Sequence, residues 1–194
     1  MQSTWEILYD VIFQPREAFR SFQFGAPIAL ALLIVILAAT APSLLFAKML
    51  TESPEGYFFS FFLFHETLFT FLIWIIGTGL YHLIAELSGG KGKVTALFAA
   101  LGMAHLPRLV LLPCSVLSYL LSGTLLTLWN MAVAIGIAIW TVYLLYCALI
   151  SVYQLTRAKA ILLLLSPMLA GLLLVLLGST FLVFWFSQFI GGYL

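Results

Sequence analysis

The residues with chemical potential are few, and most fail the spacing that their chemistry needs. His65-Glu66 begins like the H-E-x-x-H of a metalloprotease helix, in which two histidines one turn apart hold zinc and the glutamate acts as base. Position 69 is Phe, so the second ligand is missing. Gly89-Gly90-Lys91-Gly92-Lys93 has the glycines and lysines of a phosphate-cradling loop. Neither Gly-Lys pair is followed by Ser or Thr, however, and no strand precedes it, so it reads as a tight turn between helices. His82 and Glu86 share a helix face at i, i+4 spacing and could supply half a metal site. The remaining histidine, His105, belongs to another layer: by helix rise His82 lies about 9 Å and His105 about 18 Å from that turn. Closed metal sites need three or four convergent ligands. Cys114 and Cys147 lie in apolar runs and read as small buried hydrophobes, not as a disulfide. No Ser-His-Asp or Cys-His arrangement is suggested. The expectation is a protein that is not an enzyme and carries no cofactor or metal.

Arg108 carries the most information. It follows Pro107 in an apolar run and lies about 22 Å along its span from the polar turn. An intramembrane charge is expensive and normally faces the bundle interior with a partner. Glu66 is the acidic residue in the outer half of a span, about 33 Å from the same turn, and the long Arg side chain could close part of that gap. Glu66, His105 and Arg108 therefore form a candidate intramembrane polar site. Three readings stay open: a packing ion pair between Arg108 and Glu66, a substrate or proton pathway, or an Arg108 that snorkels to the far interface.

Composition dictates the elements that hold these residues. Of 194 residues, 64% are hydrophobic and 8% charged, against roughly 25% charged in soluble domains. So few charges cannot cover a water-exposed surface. The net charge of +1 leaves no electrostatic footprint for nucleic acid. Spans of roughly 20 residues are needed to cross a bilayer, and charges and turns divide the chain into five, at about 25–48, 59–87, 94–120, 125–153 and 160–186. The fold class is all-α: a polytopic membrane protein, a bundle of five transmembrane helices in a single domain over 1–194. Residues 1–22 form a short interfacial amphipathic segment ahead of it. There Ser3 and Glu6 make a capping-box pattern, and Trp5, Leu8, Tyr9 and Ile12 face away from Glu6, Asp10 and Gln14. With charges throughout its first twenty residues, the chain is expected to have no cleavable signal peptide.

Lys and Arg in short loops set orientation. Arg16, Arg20, Lys91, Lys93, Arg157 and Lys159 fall on one side and Lys48, beside Glu52 and Glu55, on the other. The N-terminus is expected in the cytoplasm and the C-terminus outside, with Tyr57, Tyr119, Trp129, Trp185 and Tyr193 near the far interface. Lys91, Lys93, Arg157 and Lys159 are candidate contacts for cytoplasmic headgroups or a partner. Ala100-x-x-x-Ala104, Ala132-x-x-x-Gly136 and Gly171 with Gly178 are small-residue faces suited to helix packing, within the chain or in a homodimer. Trp74 and Trp140 lie mid-span, in the core or facing lipid.

Several segments resemble the Yip1 family of five-span membrane proteins: Phe13-x-Pro15-Arg16-Glu17-Ala18-Phe19, His82-Leu83-Ile84-Ala85-Glu86-Leu87-Ser88-Gly89-Gly90-Lys91-Gly92, Gly102, Leu106-Pro107, and the Tyr153-to-Ala160 turn before a last apolar helix. Eukaryotic members are implicated in secretory trafficking, bind prenylated Rab GTPases or sister Yip proteins, and carry a long hydrophilic cytosolic N-terminus. That segment and their Asp-Leu-Tyr-Gly-Pro motif are absent here. The resemblance thus implies a compact bacterial type in the inner (cytoplasmic) membrane. Such a protein would act by helix packing and by contacts with lipid or with a membrane-protein partner, in membrane organisation or trafficking-like processes. The alternative is a transporter or channel for a small solute or ion, using Glu66, His105 and Arg108.

Overall fold

Each apolar run bounded by polar turns folds as a helix, because in lipid every backbone N–H and C=O must find its partner within its own segment. The structure is a computed structural model that describes residues 3–51 and 56–191. Its elements are α1 (Thr4–Phe13), α2 (Pro15–Ser21), α3 (Ile28–Thr51), α4 (Gly56–Leu87), α5 (Val94–Met103), a 3-10 turn (Leu106–Val110), α6 (Leu111–Ser118), α7 (Gly123–Tyr153) and α8 (Arg157–Gly191), with no strand among the described residues. Three described stretches are long and apolar enough to cross a membrane, Leu63–Leu87, Val94–Ser118 and Gly123–Tyr153, and Ile28–Ala41 is a shorter apolar helix. Glu52, Glu55 and Tyr193 lie outside the described residues, as do the side chains of Lys48 and Tyr57 and the surroundings of Gly171.

The stretch expected as one helix over 94–120 is broken. Pro107 has no N–H for a helical bond and clashes with the preceding turn, so α5 ends at Met103. The chain tightens into the 3-10 turn, with His105 N donating to Gly102 O at 3.1 Å and Arg108 N to His105 O at 3.0 Å. Pro113 causes no break. It sits in the first turn of α6, where the N–H has no helical partner to lose.

The core forms where α3, α4 and α5 meet. Gly102 of α5 lets the backbones close: a Cβ there would lie 2.8 Å from the Ala31 Cβ and 2.9 Å from the Trp74 ring. Trp74, 2% exposed, is a core residue. Its indole N–H donates to the Phe98 carbonyl at 3.0 Å and its ring stacks on Phe98 at 3.9 Å. Ala100 and Ala104 are buried, so that small-residue face is used within the chain. At Gly136 and Gly178 an added Cβ would meet nothing within 4 Å among the described residues, so those positions are open there. Trp140 is half-buried at the core's margin, and Cys114 and Cys147 are free thiols, the second buried.

The N-terminal segment divides into two parts. The capping box forms, with Ser3 N donating to Glu6 Oε2 at 2.7 Å and Glu6 N to Ser3 Oγ at 3.2 Å. Trp5, Tyr9 and Phe13 of α1 stand exposed. α2 instead packs against α7 and buries Pro15, Ala18 and Phe19, with Phe22 just beyond it. A surface anchor accounts for the exposed aromatic side of α1, but Val11 of α1 is fully buried and α2 belongs to the core.

The packing at Gly102 makes a test. Gly102→Leu, thermally unfolded in detergent, should lose stability by about 1–3 kcal/mol through overpacking. Gly136→Ala, at an open position, should be neutral or gain up to about 1 kcal/mol from helix propensity.

Candidate functional site

The polar side chains converge where the N-terminal segment, the α4–α5 turn and the α7–α8 turn meet. α4 ends in a left-handed glycine cap, as helices often do: Gly89 has φ 84°, and Gly90 N donates to Ala85 O at 2.9 Å. The next glycines press on Tyr153, the last residue of α7. A Cβ at Gly90 would lie 3.0 Å from the Tyr153 Cβ, and one at Gly92 would lie 2.7 Å from Val152 O and 2.8 Å from the Tyr153 ring. Only glycine permits that approach. Tyr153 is 1% exposed, and its hydroxyl is hydrogen-bonded to His82 Nδ1. The other ring nitrogen of His82 lies 3.5 Å from Glu86 Oε1, so the expected shared face is real. Lys91 N donates to the Tyr153 carbonyl at 3.4 Å, which satisfies a helix-end acceptor.

Gln23 ties in the N-terminal segment. Its amide N–H donates to Val152 O, while its side-chain oxygen accepts from Lys93 N at 3.3 Å. The Lys93 ammonium donates to the Gln23 carbonyl at 2.9 Å, and that of Lys159 to Ser88 O at 2.7 Å. Two of the four predicted headgroup lysines and arginines are therefore engaged with loop carbonyls. Lys91 and Arg157 are exposed. Six of the eight Lys and Arg residues (Arg16, Arg20, Lys91, Lys93, Arg157 and Lys159) gather at this end. Sequence reasoning missed Gln23 and the role of Tyr153. The one available signal was the density of glycine in the turn, which demands a close neighbour without naming it.

The intramembrane candidates are not drawn together in the same way. His65 is exposed and stacks between Phe61 and Phe69, with centroids at 6.3 and 5.5 Å. Glu66 is half-buried on α4. His105 is half-buried at the break after α5, its Nδ1 3.0 Å from the Leu101 carbonyl. Arg108 is half-buried in the 3-10 turn, and of its three readings the ion pair with Glu66 does not form: among the described residues the one contact within 4 Å between a carboxylate and a basic side chain is Glu86 with the His82 imidazole. The reason is placement. The 3-10 turn packs against α3 and α7, whereas α4 packs against α3 and α5. No three of His, Cys, Asp or Glu converge as a metal ion would need among the described residues.

The Yip1 domain family matches residues 9–192. The chain belongs to the Yip1 family. No curated protein and no solved structure matches it. With its apolar helices, the family makes this a multi-pass membrane protein. The segments that carried the resemblance turn out to be joints of this Yip1 domain. Pro15 to Phe19 form the helix buried against α7, His82 to Gly92 wrap Tyr153, Gly102 closes the three-helix core, and Pro107 sets the break.

Two variants probe the clasp around Tyr153. Tyr153→Phe removes one hydrogen bond and should cost about 0.5–1.5 kcal/mol. Gly92→Val should cost at least as much, about 1–3 kcal/mol, because its side chain would meet backbone that cannot give way. Thermal unfolding of the detergent-solubilised protein reads both.

Proposed function

We propose that this Yip1 domain is a non-enzymatic, five-span protein of a bacterial inner membrane that works through helix packing, with lipid and with a second copy of itself. The observation that carries the reading is the open small-residue face of α7. Ala132 and Gly136 lie on a helix whose first half is largely uncovered, and among the described residues nothing stands within 4 Å of a Cβ at Gly136. Gly178 of α8 is open in the same way, amid exposed Leu173, Val175, Leu176, Leu177 and Phe181. Small residues in a lipid-facing stretch forgo side-chain contacts with lipid and allow close helix–helix approach. The basic end is read as cytoplasmic, which supports action on membrane organisation from that side.

One observation favours the second reading, a solute or ion pathway. Arg108 is half-buried beside a broken helix and has no ion pair among the described residues, and discontinuous helices flank sites in transporters.

Two experiments test the proposal. Reporter fusions should place the N-terminus in the cytoplasm and Leu194 outside; a cytoplasm-only reporter active at Leu194 would overturn the five-span topology. Native mass spectrometry in mild detergent and in nanodiscs should find a homodimer that Gly136→Leu weakens, and monomer alone in both would overturn the pairing.

A further inference from the structure

A pocket of about 310 Å³ lies between α2 and the last turns of α7, lined by Arg16, Glu17, Arg20, Ile150, Ser151 and Gln154. Its two cations are held in place from behind. Pro15, Ala18 and Phe19 anchor one face of α2 in the core, so Arg16 and Arg20, one helical turn apart, are presented together on another. The Arg16 guanidinium also lies over the Tyr146 ring, 5.9 Å from its centroid, a cation–π contact that steadies it without neutralising it. Neither arginine forms an ion pair among the described residues, not even with Glu17.

Two further features point to a ligand. Ser151 is 8% exposed, lines the pocket, and its hydroxyl makes no hydrogen bond among the described residues. A buried hydroxyl without a partner is costly and calls for one. Gln154, at the rim, holds a left-handed conformation (φ 53°, ψ 37°), which costs a residue other than glycine about 1–2 kcal/mol. Strain of this kind concentrates at functional sites.

We infer that this pocket binds a phosphate group, gripped by Arg16 and Arg20 with the Ser151 hydroxyl as a third donor. Guanidinium groups match phosphate oxygens in geometry as well as charge. Glu17 opposes the anion, and two cations against one carboxylate leave the pocket net positive. The exposed Trp5, Tyr9 and Phe13 of the adjoining α1 are suited to a bilayer interface, which would bring the pocket to headgroup level. A lipid phosphodiester is therefore the expected source, with free phosphate as the other. The inference does not depend on the homodimer or on the topology, since binding in detergent is independent of both.

The test is binding of short-chain phosphatidylglycerol to the full chain in neutral detergent, by native mass spectrometry, with inorganic phosphate as the second arm. Wild type should bind the lipid, and Arg16→Gln/Arg20→Gln should weaken it by about tenfold or more. Ser151→Ala should weaken it a few-fold, and Glu17→Gln should strengthen it. Lys91→Gln/Arg157→Gln removes the same charge from the same end and should weaken binding far less than loss of the arginine pair. Matching thermal unfolding curves would establish that each variant is folded. Binding of inorganic phosphate with the same dependence on Arg16 and Arg20, without lipid binding, would support the site and assign it to free phosphate. Equal loss in both double variants would overturn the inference in favour of diffuse electrostatics. Undiminished binding in the Arg16/Arg20 variant, or no binding of either probe by wild type, would overturn it outright.

Discussion

The close approach of two glycines to Tyr153 holds the basic end together. Gly90 and Gly92 have no room for side chains because the Tyr153 ring and the Val152 carbonyl occupy it. Once the turn lies there, His82 can reach the tyrosine hydroxyl, Lys91 N the tyrosine carbonyl and Lys93 the Gln23 carbonyl. The two bonds to the Tyr153 and Gln23 carbonyls satisfy groups at the end of a helix and in a connecting loop, where the regular pattern leaves acceptors unmatched. The clasp thus joins four helices that apolar packing alone would leave free to slide. Dispersion between smooth apolar faces has little sense of register, whereas hydrogen bonds to particular carbonyls define one.

The middle of the bundle follows a different rule. There Gly102 and the alanines around it let α3, α4 and α5 approach, and the Trp74 N–H is satisfied by the Phe98 carbonyl inside the packed layer. The break after Met103 is the exception to regular backbone within this layer. It is tolerated because the 3-10 turn replaces the lost helical bonds with shorter-range ones and because α3 and α7 cover it.

Much of this was legible in the sequence. Charges at the ends of apolar runs placed the helices, Ser3 and Glu6 announced the first cap, and the glycine-lysine turn was recognisable as a turn. What escaped was long-range. Gln23 meets Val152 across 129 positions and His82 meets Tyr153 across 71, and no local periodicity encodes such partners. Pairing Arg108 with Glu66 failed for a related reason. Helix rise gives a height along one axis but not the azimuth, and Arg108 sits in a turn that packs against helices other than the one carrying Glu66. Nor did the charge count around α2 reveal its burial, because Arg16 and Arg20 mark one face while Phe19 and Phe22 fill another.

The placement of α2 against α7 has a consequence for biogenesis. The ribosome releases the first helices long before their cover exists: at about 5–20 residues per second, the stretch from Gln23 to Val152, 129 positions, takes on the order of ten seconds. During that interval Phe19 and Phe22 lack the α7 surface that later covers them. α1, with Trp5, Tyr9 and Phe13 turned outward, is suited to moor the nascent segment at the lipid surface until the seventh helix arrives. A late docking event in assembly then involves the first part of the chain to be made.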